Sequence, residues 1–153
     1  MRKDFEAKKV REVMTSNPIT VSPDMTIREL KTKFETHDFN MFPVVDARGL
    51  CCGVVTKLDL LRTFRLQLRH WIPDLRLLWA ERVEDMMNRG VVAVDPDDPV
   101  VVAVDTMIET RTRSLPVVER RREGRVLVGI VSRTDVLPCL IVEGDEEPRN
   151  PSN

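Results

Sequence analysis

The chain repeats itself. Sliding the 153-residue sequence by 73 positions sets "MTSNPITVSPD" (14–24) on "MNRGVVAVDPD" (87–97) and "NMFPVVD" (40–46) on "RSLPVVE" (113–119). Met14 meets Met87, Val21 meets Val94, Pro23 meets Pro96 and Asp24 meets Asp97. The offset then grows to 76, because "RRREGRVLV" is three residues longer than "ARGLCC", and Gly53, Thr56 and Asp59 fall on Gly129, Ser132 and Asp135. A single offset with one insertion in a polar turn marks a duplicated unit. Any fold for this chain must build that unit twice.

Both copies follow one order. A short β-branched segment, "PITV" or "VVAV", reads as a strand. An amphipathic helix follows: Val100, Ala103, Val104, Met107 and Ile108 hold helical spacing in the second copy, and Ile27, Leu30 and Phe34 form a thinner stripe in the first. Thr26 with Glu29 reads as a capping box, and Asp98 before Pro99 as an N-cap with proline at the first helical position. Then come a strand ("FPVVD" or "LPVVE"), a polar turn, a third strand ("CCGVV" or "VLVGIV") and a helix opening at Thr56 or Ser132. The order β-α-β-β-α makes the class α/β, more narrowly α+β.

The first copy spans 10–62 and the second 83–140. Residues 1–9 lead in, and 63–82 form a helical linker that prolongs the first copy's last helix, with Leu61, Phe64, Leu68 and Trp71 keeping helical spacing until Pro73. Trp71 and Trp79 read as packing residues. Pro138 stops or kinks the second copy's last helix. The acidic, apolar-poor tail 141–153 reads as disordered.

Composition narrows the function. A net charge of −1 argues against a general nucleic-acid binder, which needs a basic excess. No apolar run approaches the ~20 residues of a membrane span. "MRKDFEAKKVREVM" lacks the apolar centre of a signal peptide, which points to the cytoplasm. Three cysteines, with Cys51 and Cys52 adjacent, match neither a disulfide framework nor a zinc spacing. His37 and His70 lie too far apart in sequence to suggest a metal pair. No nucleophile–base pair is visible, so an enzyme is not expected. "RRREGR" (120–125) reads as a solvated hairpin turn, or else as a contact for a partner's acidic patch.

The repeated "GVVTKLD" and "GIVSRTD" carry the chemistry. Each places Thr56 or Ser132 where a strand gives way to a helix, where free N–H groups favour a phosphate. Lys57 and Arg133 follow with positive charge. Asp59 or Asp135, three residues on, is acceptor-only when ionised and can take both hydroxyl donors of a ribose. The glycine lets backbone approach closely. Ser/Thr-x-x-Asp is also nearly a plain capping box, which needs no ligand.

"VREVMTSNPITVSPDMTIREL", "MFPVVDARGLCCGVVTKLDLL", "RVEDMMNRGVVAVDPDDPV" and "SLPVVERRREGRVLVGIVSRTDVL" together resemble a tandem pair of CBS domains, the cystathionine-beta-synthase-type repeat or Bateman module. The resemblance implies two β-α-β-β-α units packed about a pseudo-twofold axis, with two clefts between them. It implies that these clefts take adenosine-containing ligands such as AMP, ADP, ATP or S-adenosylmethionine, and that the module pairs into a homodimer and acts on a regulated protein in trans. It assigns the Asp to ribose and the Ser/Thr to ribose or phosphate. Arg113, before "LPVV", stands where the family can place a phosphate contact, whereas the first copy has neutral Asn40 there. Ile19, Thr20, Ser22, Val92 and Ala93 become expected walls around the base, with Met41, Pro43 and Pro116; each also reads as ordinary core strand. The alternative function is a structural or interaction module with empty clefts.

Overall fold

The computed structural model describes residues 7–68 and 80–140, with side chains for 7–64 and 80–140. The expectations for Trp71, Pro73, Trp79 and the tail 141–153 lie outside the described residues. In chain order the elements are β1 (Thr15–Ser16), α1 (Ile27–Thr36), β2 (Met41–Val45), β3 (Cys51–Thr56), α2 (Lys57–Leu68), α3 (Val83–Met86), α4 (Val100–Thr110), β4 (Ser114–Arg121), β5 (Gly124–Ser132) and α5 (Arg133–Val136). The fold is α+β, with antiparallel hairpins β2–β3 and β4–β5.

Local sequence explains most boundaries. The Thr26 hydroxyl accepts the Glu29 N–H at 3.2 Å, and the Glu29 carboxylate accepts the Thr26 N–H at 2.9 Å, so α1 opens on a capping box. The helix buries Leu30 and Phe34. In α4, Val100, Ala103 and Met107 are buried, but Ile108 is 68% exposed, so the buried stripe is narrower than its spacing suggests. Pro99 is the N-cap itself, not the first helical residue. Asp98 turns back to accept the Asp95 N–H at 2.9 Å, closing a turn ahead of the helix instead of capping it. Past Ser132 the helix lasts four residues and tightens into a 3₁₀ turn, Leu137–Cys139, that contains Pro138.

The expected first strands shrink to single parallel bridges, Val21 with Val44 and Val94 with Val117. The leading segments are committed elsewhere. Thr15 and Ser16 pair with Ile130 and Gly129 in the other copy's hairpin. Asn88, which stands 73 residues after Thr15, bridges Val54 in the same way. Crossing from one sheet to the other within a few residues leaves no length to stay in register with either. At Asn17 the crossing turns through a left-handed φ of 51°, which asparagine tolerates.

This exchange is reciprocal. Lys9 bridges Pro99, and its counterpart Arg82 bridges Thr26. One core joins Val21, Leu30, Phe42, Val44 and Val55 to Val83, Met86 and Met87 of the second copy's lead. The other joins Val94, Val100, Leu115, Val117 and Val131 to Val10, Val13 and Met14 of the first copy's lead. A third cluster, Cys51, Val91 and Val118, lies between the hairpins. The bridges and the two larger cores have their twins at the repeat offset, which is a pseudo-twofold relation.

The two glycines of the repeated motif belong to this exchange. A Cβ on Gly129 would lie 2.6 Å from Met14 Sδ, and one on Gly53 would lie 2.7 Å from Met87 Sδ. The close approach inferred from sequence is real, but a crossing methionine makes it rather than a ligand.

Candidate functional site

The crossing segments open a cleft of about 700 Å³ between the copies. Hairpin β4–β5 and α5 supply Ser132, Arg133 and Asp135, and Arg113 stands immediately before β4. The first copy supplies Ile19 and Met41. These six are the sequence-derived site residues that the structure brings together.

Ser132 and Asp135 are tied to each other first. Asp135 Oδ2 accepts the Ser132 N–H at 2.7 Å and the Ser132 hydroxyl at 2.8 Å. Ser132 Oγ in turn accepts the Asp135 N–H at 3.3 Å. The capping box is therefore built, and the hydroxyl proton expected for a ligand goes to the carboxylate. Asp135 Oδ1 takes no hydrogen bond among the described residues, so this carboxylate keeps an acceptor for a hydroxyl entering the cleft.

Two cations line the cleft. Arg133 Nε donates to the Thr112 carbonyl at 3.1 Å. Arg113 Nη1 donates to Asn40 Oδ1 at 3.3 Å, a neutral partner that leaves its charge uncompensated there. Asp38 stands on the rim, and Phe39, 43% exposed, adds a ring that stacks on His37 at 5.4 Å. Thr15, Asn17, Pro18, Ser114, Ile130 and Thr134 complete the lining. None of these eight was singled out from sequence. Thr15, Asn17 and Pro18 arrive only because the leading segment crosses over, and Asp38 and Phe39 sit in the turn before β2.

The equivalent motif in the first copy is closed more tightly. Asp59 Oδ2 accepts the Thr56 N–H and the Thr56 hydroxyl, both at 2.8 Å. Its Oδ1 faces Arg62 at 3.9 Å. Lys57 Nζ leans to Asp38 at 3.7 Å. Thr56, Lys57 and Asp59 do not line the cavity.

The remaining expected walls lie outside it too. Ser22 bonds to the Asp24 carboxylate and helps hold that carboxyl below its usual range. Thr20 is half-buried beside the Val21 bridge. Pro43 and Pro116 are buried, and their carbonyls accept the Val21 and Val94 N–H groups that make the parallel bridges. Val92, 46% exposed, and half-buried Ala93 belong to the second copy's lead. Burial pushes the Cys51 and Cys52 thiols up, so both stay protonated near neutrality.

Two exchanged α+β repeats enclosing a polar-ended, apolar-walled cleft define a tandem-repeat module. The chain belongs to the CBS domain family, whose model matches residues 10–65 and 83–141. The CBS domain pair is a regulatory fold, not a catalytic one. The chain is 32% identical over 130 residues to an inosine-5'-monophosphate dehydrogenase from Methanocaldococcus jannaschii, and 27% identical over 140 residues to an A-adding tRNA nucleotidyltransferase from Aquifex aeolicus. Those matches take 85% and 92% of this chain but only 23% and 15% of the two enzymes. Among solved structures it resembles CBSX2 in complex with AMP (26% identity, TM-score 0.72, covering 86% of this chain and 94% of that one). It also resembles the CBS domain pair of protein MJ0100 in complex with 5'-methylthioadenosine and S-adenosyl-L-methionine (26% identity, TM-score 0.69, covering 86% and 98%). No helix among the described residues is long and apolar enough to cross a membrane.

Proposed function

We propose that the chain is a ligand-sensing regulatory module. It binds an adenosine-containing ligand, AMP, ADP, ATP or S-adenosylmethionine, in the Ser132–Asp135 cleft and passes the bound state to a partner protein in trans. The carrying observation is the convergence, in one cavity, of an open carboxylate oxygen, the Arg113 guanidinium and the apolar side chains Ile19, Met41 and Phe39. The carboxylate suits ribose hydroxyls, the guanidinium a phosphate and the apolar wall a purine. The AMP and S-adenosyl-L-methionine complexes of the similar pairs support the same chemistry.

A thermal-shift titration tests this. Binding to the native state alone stabilises it by RT ln(1 + [L]/Kd). A saturating rise in Tm with AMP, ADP, ATP or S-adenosylmethionine is expected, with a smaller rise in Arg113→Ala. Asp135→Ala carries two effects, because its carboxylate also caps α5: a lower starting Tm and a reduced ligand shift. A flat response to all four ligands favours the second reading, an interaction module with empty clefts. That reading draws on the capping boxes, which satisfy Ser132 and Thr56 without any ligand.

Dimerisation is part of the proposal. Leu58 (54% exposed), Leu61 (63%) and Phe64 (41%) leave α2 with an uncovered apolar face, and Leu137 and Leu140 extend from the other copy. Sedimentation is expected to give a dimer, and Leu61→Glu to give a monomer.

A further inference from the structure

The pseudo-twofold axis runs between Asn40 and Arg113, at the cationic end of the cleft. The repeat offset maps Asn40 onto Arg113 and Met41 onto Ser114. All four line the one cavity at Ser132. The symmetry only exchanges the members of each pair, so it sets the same four residues beside the twin motif of Thr56 and Asp59, where the resemblance to CBS pairs places a second cleft. Asn40 and Arg113 touch across this axis, Nη1 to Oδ1, at 3.3 Å.

The backbone ties each of the two to its own copy's cap. The Arg133 N–H donates to the Arg113 carbonyl, and the Lys57 N–H donates to the Asn40 carbonyl, both at 3.0 Å. The second cleft's own cation, Lys57, is drawn to Asp38 on the rim of the first. The guanidinium at position 113 is thus the one charge placed between the two motifs, beside Arg133 in the first cleft, and the duplicated position holds only a neutral amide.

We infer that Arg113 is a single cation shared by two clefts, so that the chain binds one phosphate-bearing ligand at a time. This rests on the reading that the clefts take adenosine phosphates. A phosphate beside Ser132 draws the guanidinium away from Asn40 and leaves the Thr56 cleft with Lys57 alone, itself leaning to Asp38 at 3.7 Å. Two phosphates on one guanidinium would also bring like charges together. The clefts are therefore coupled negatively, through one side chain.

Calorimetric titration with AMP tests the sharing. The wild type is expected to bind one AMP per chain, and Asn40→Arg, which gives each cleft its own guanidinium, two. Arg113→Asn is expected to weaken AMP tenfold or more, the scale of one charge-assisted hydrogen bond, and to leave adenosine binding unchanged. The exchanged variant, Asn40→Arg with Arg113→Asn, keeps one arginine and one asparagine across the axis. It is expected to bind one AMP whose affinity falls with Asp59→Ala and no longer with Asp135→Ala. It also decides the matter if a melt shows that Asn40→Arg alone does not fold. Two equal AMP sites in the wild type, or one site persisting in a folded Asn40→Arg, overturn the sharing and leave the nucleotide reading standing. No AMP binding to the wild type or any variant overturns the sharing, and a flat response to ADP, ATP and S-adenosylmethionine as well overturns the nucleotide reading.

Discussion

Gly129 has no room for a side chain. Its would-be Cβ meets both Met14 Sδ at 2.6 Å and the Thr15 carbonyl oxygen at 2.9 Å, and the second of these is backbone that cannot swing aside. Gly53 meets Met87 Sδ at 2.7 Å but the Asn88 oxygen only at 3.1 Å. Gly129→Ala is therefore expected to destabilise by roughly 1–3 kcal/mol, as overpacking does, and Gly53→Ala by less. Urea midpoints of the two variants check the order. Both glycines stood out in the sequence as repeated, yet their neighbour was not legible, because a methionine more than thirty residues from Gly53 and more than a hundred from Gly129 supplies the contact. The capping pairs were legible for the opposite reason. Thr56 with Asp59, and Ser132 with Asp135, act within one turn, so spacing alone specifies them. What spacing could not say is that the hydroxyls point at the carboxylates and that only Asp135 keeps an oxygen open.

Helices read well from sequence and the leading strands read badly. A helix is stabilised by its own caps and stripe, and α1 begins at Ile27, directly after its capping Thr26. Removing that cap by Thr26→Ala is expected to cost about 1 kcal/mol, measurable by chemical denaturation. A strand needs a neighbour, and "PITV" and "VVAV" have the β-branched composition of strands without the partner length. The leading segment is held from its other end. Asp97 accepts from Lys9 at 3.2 Å and from Arg11 at 3.0 Å, and these two bonds, Lys9 first, hold its carboxyl below the usual carboxylate range. The folded state thus binds this proton less readily than the unfolded one. The stabilisation is complete above the unfolded pKa and is lost as pH falls through the lowered folded value, below about pH 4. Melting curves across the acid range should fall more gently for Asp97→Asn than for the wild type, and the difference should shrink in high salt because the pairs are exposed.

Across the whole molecule, the pseudo-symmetry makes the two copies comparable experiments. Val10 and Val83 are counterparts, both fully buried, each in the core of the opposite copy. Val10→Ala and Val83→Ala each remove apolar volume, so similar losses of roughly 1–3 kcal/mol are expected from calorimetric melts. Deleting residues 1–14 should go further and unfold the second copy's core, though Val10, Val13 and Met14 belong to the first copy in sequence. Duplication, class and the order of helices and hairpins were legible, because each is written in the sequence pattern, whereas the leading strands were not. The reciprocal crossing was not, since nothing in a linear repeat says which copy a segment serves. The same blindness hid Thr15, Asn17 and Pro18 from the site.

The crossing also sets the order in which the chain can be finished. Synthesis releases Val10 and Met14 first, yet they wait for Leu115, Val117 and Val131 before they have anything to pack against. The first copy in turn stays incomplete until Val83, Met86 and Met87 emerge. Neither half can fold to completion on the ribosome while the other is unmade. A nascent chain of this design carries two open cores until late in translation, and both close together, as one cooperative event between residues far apart in the sequence.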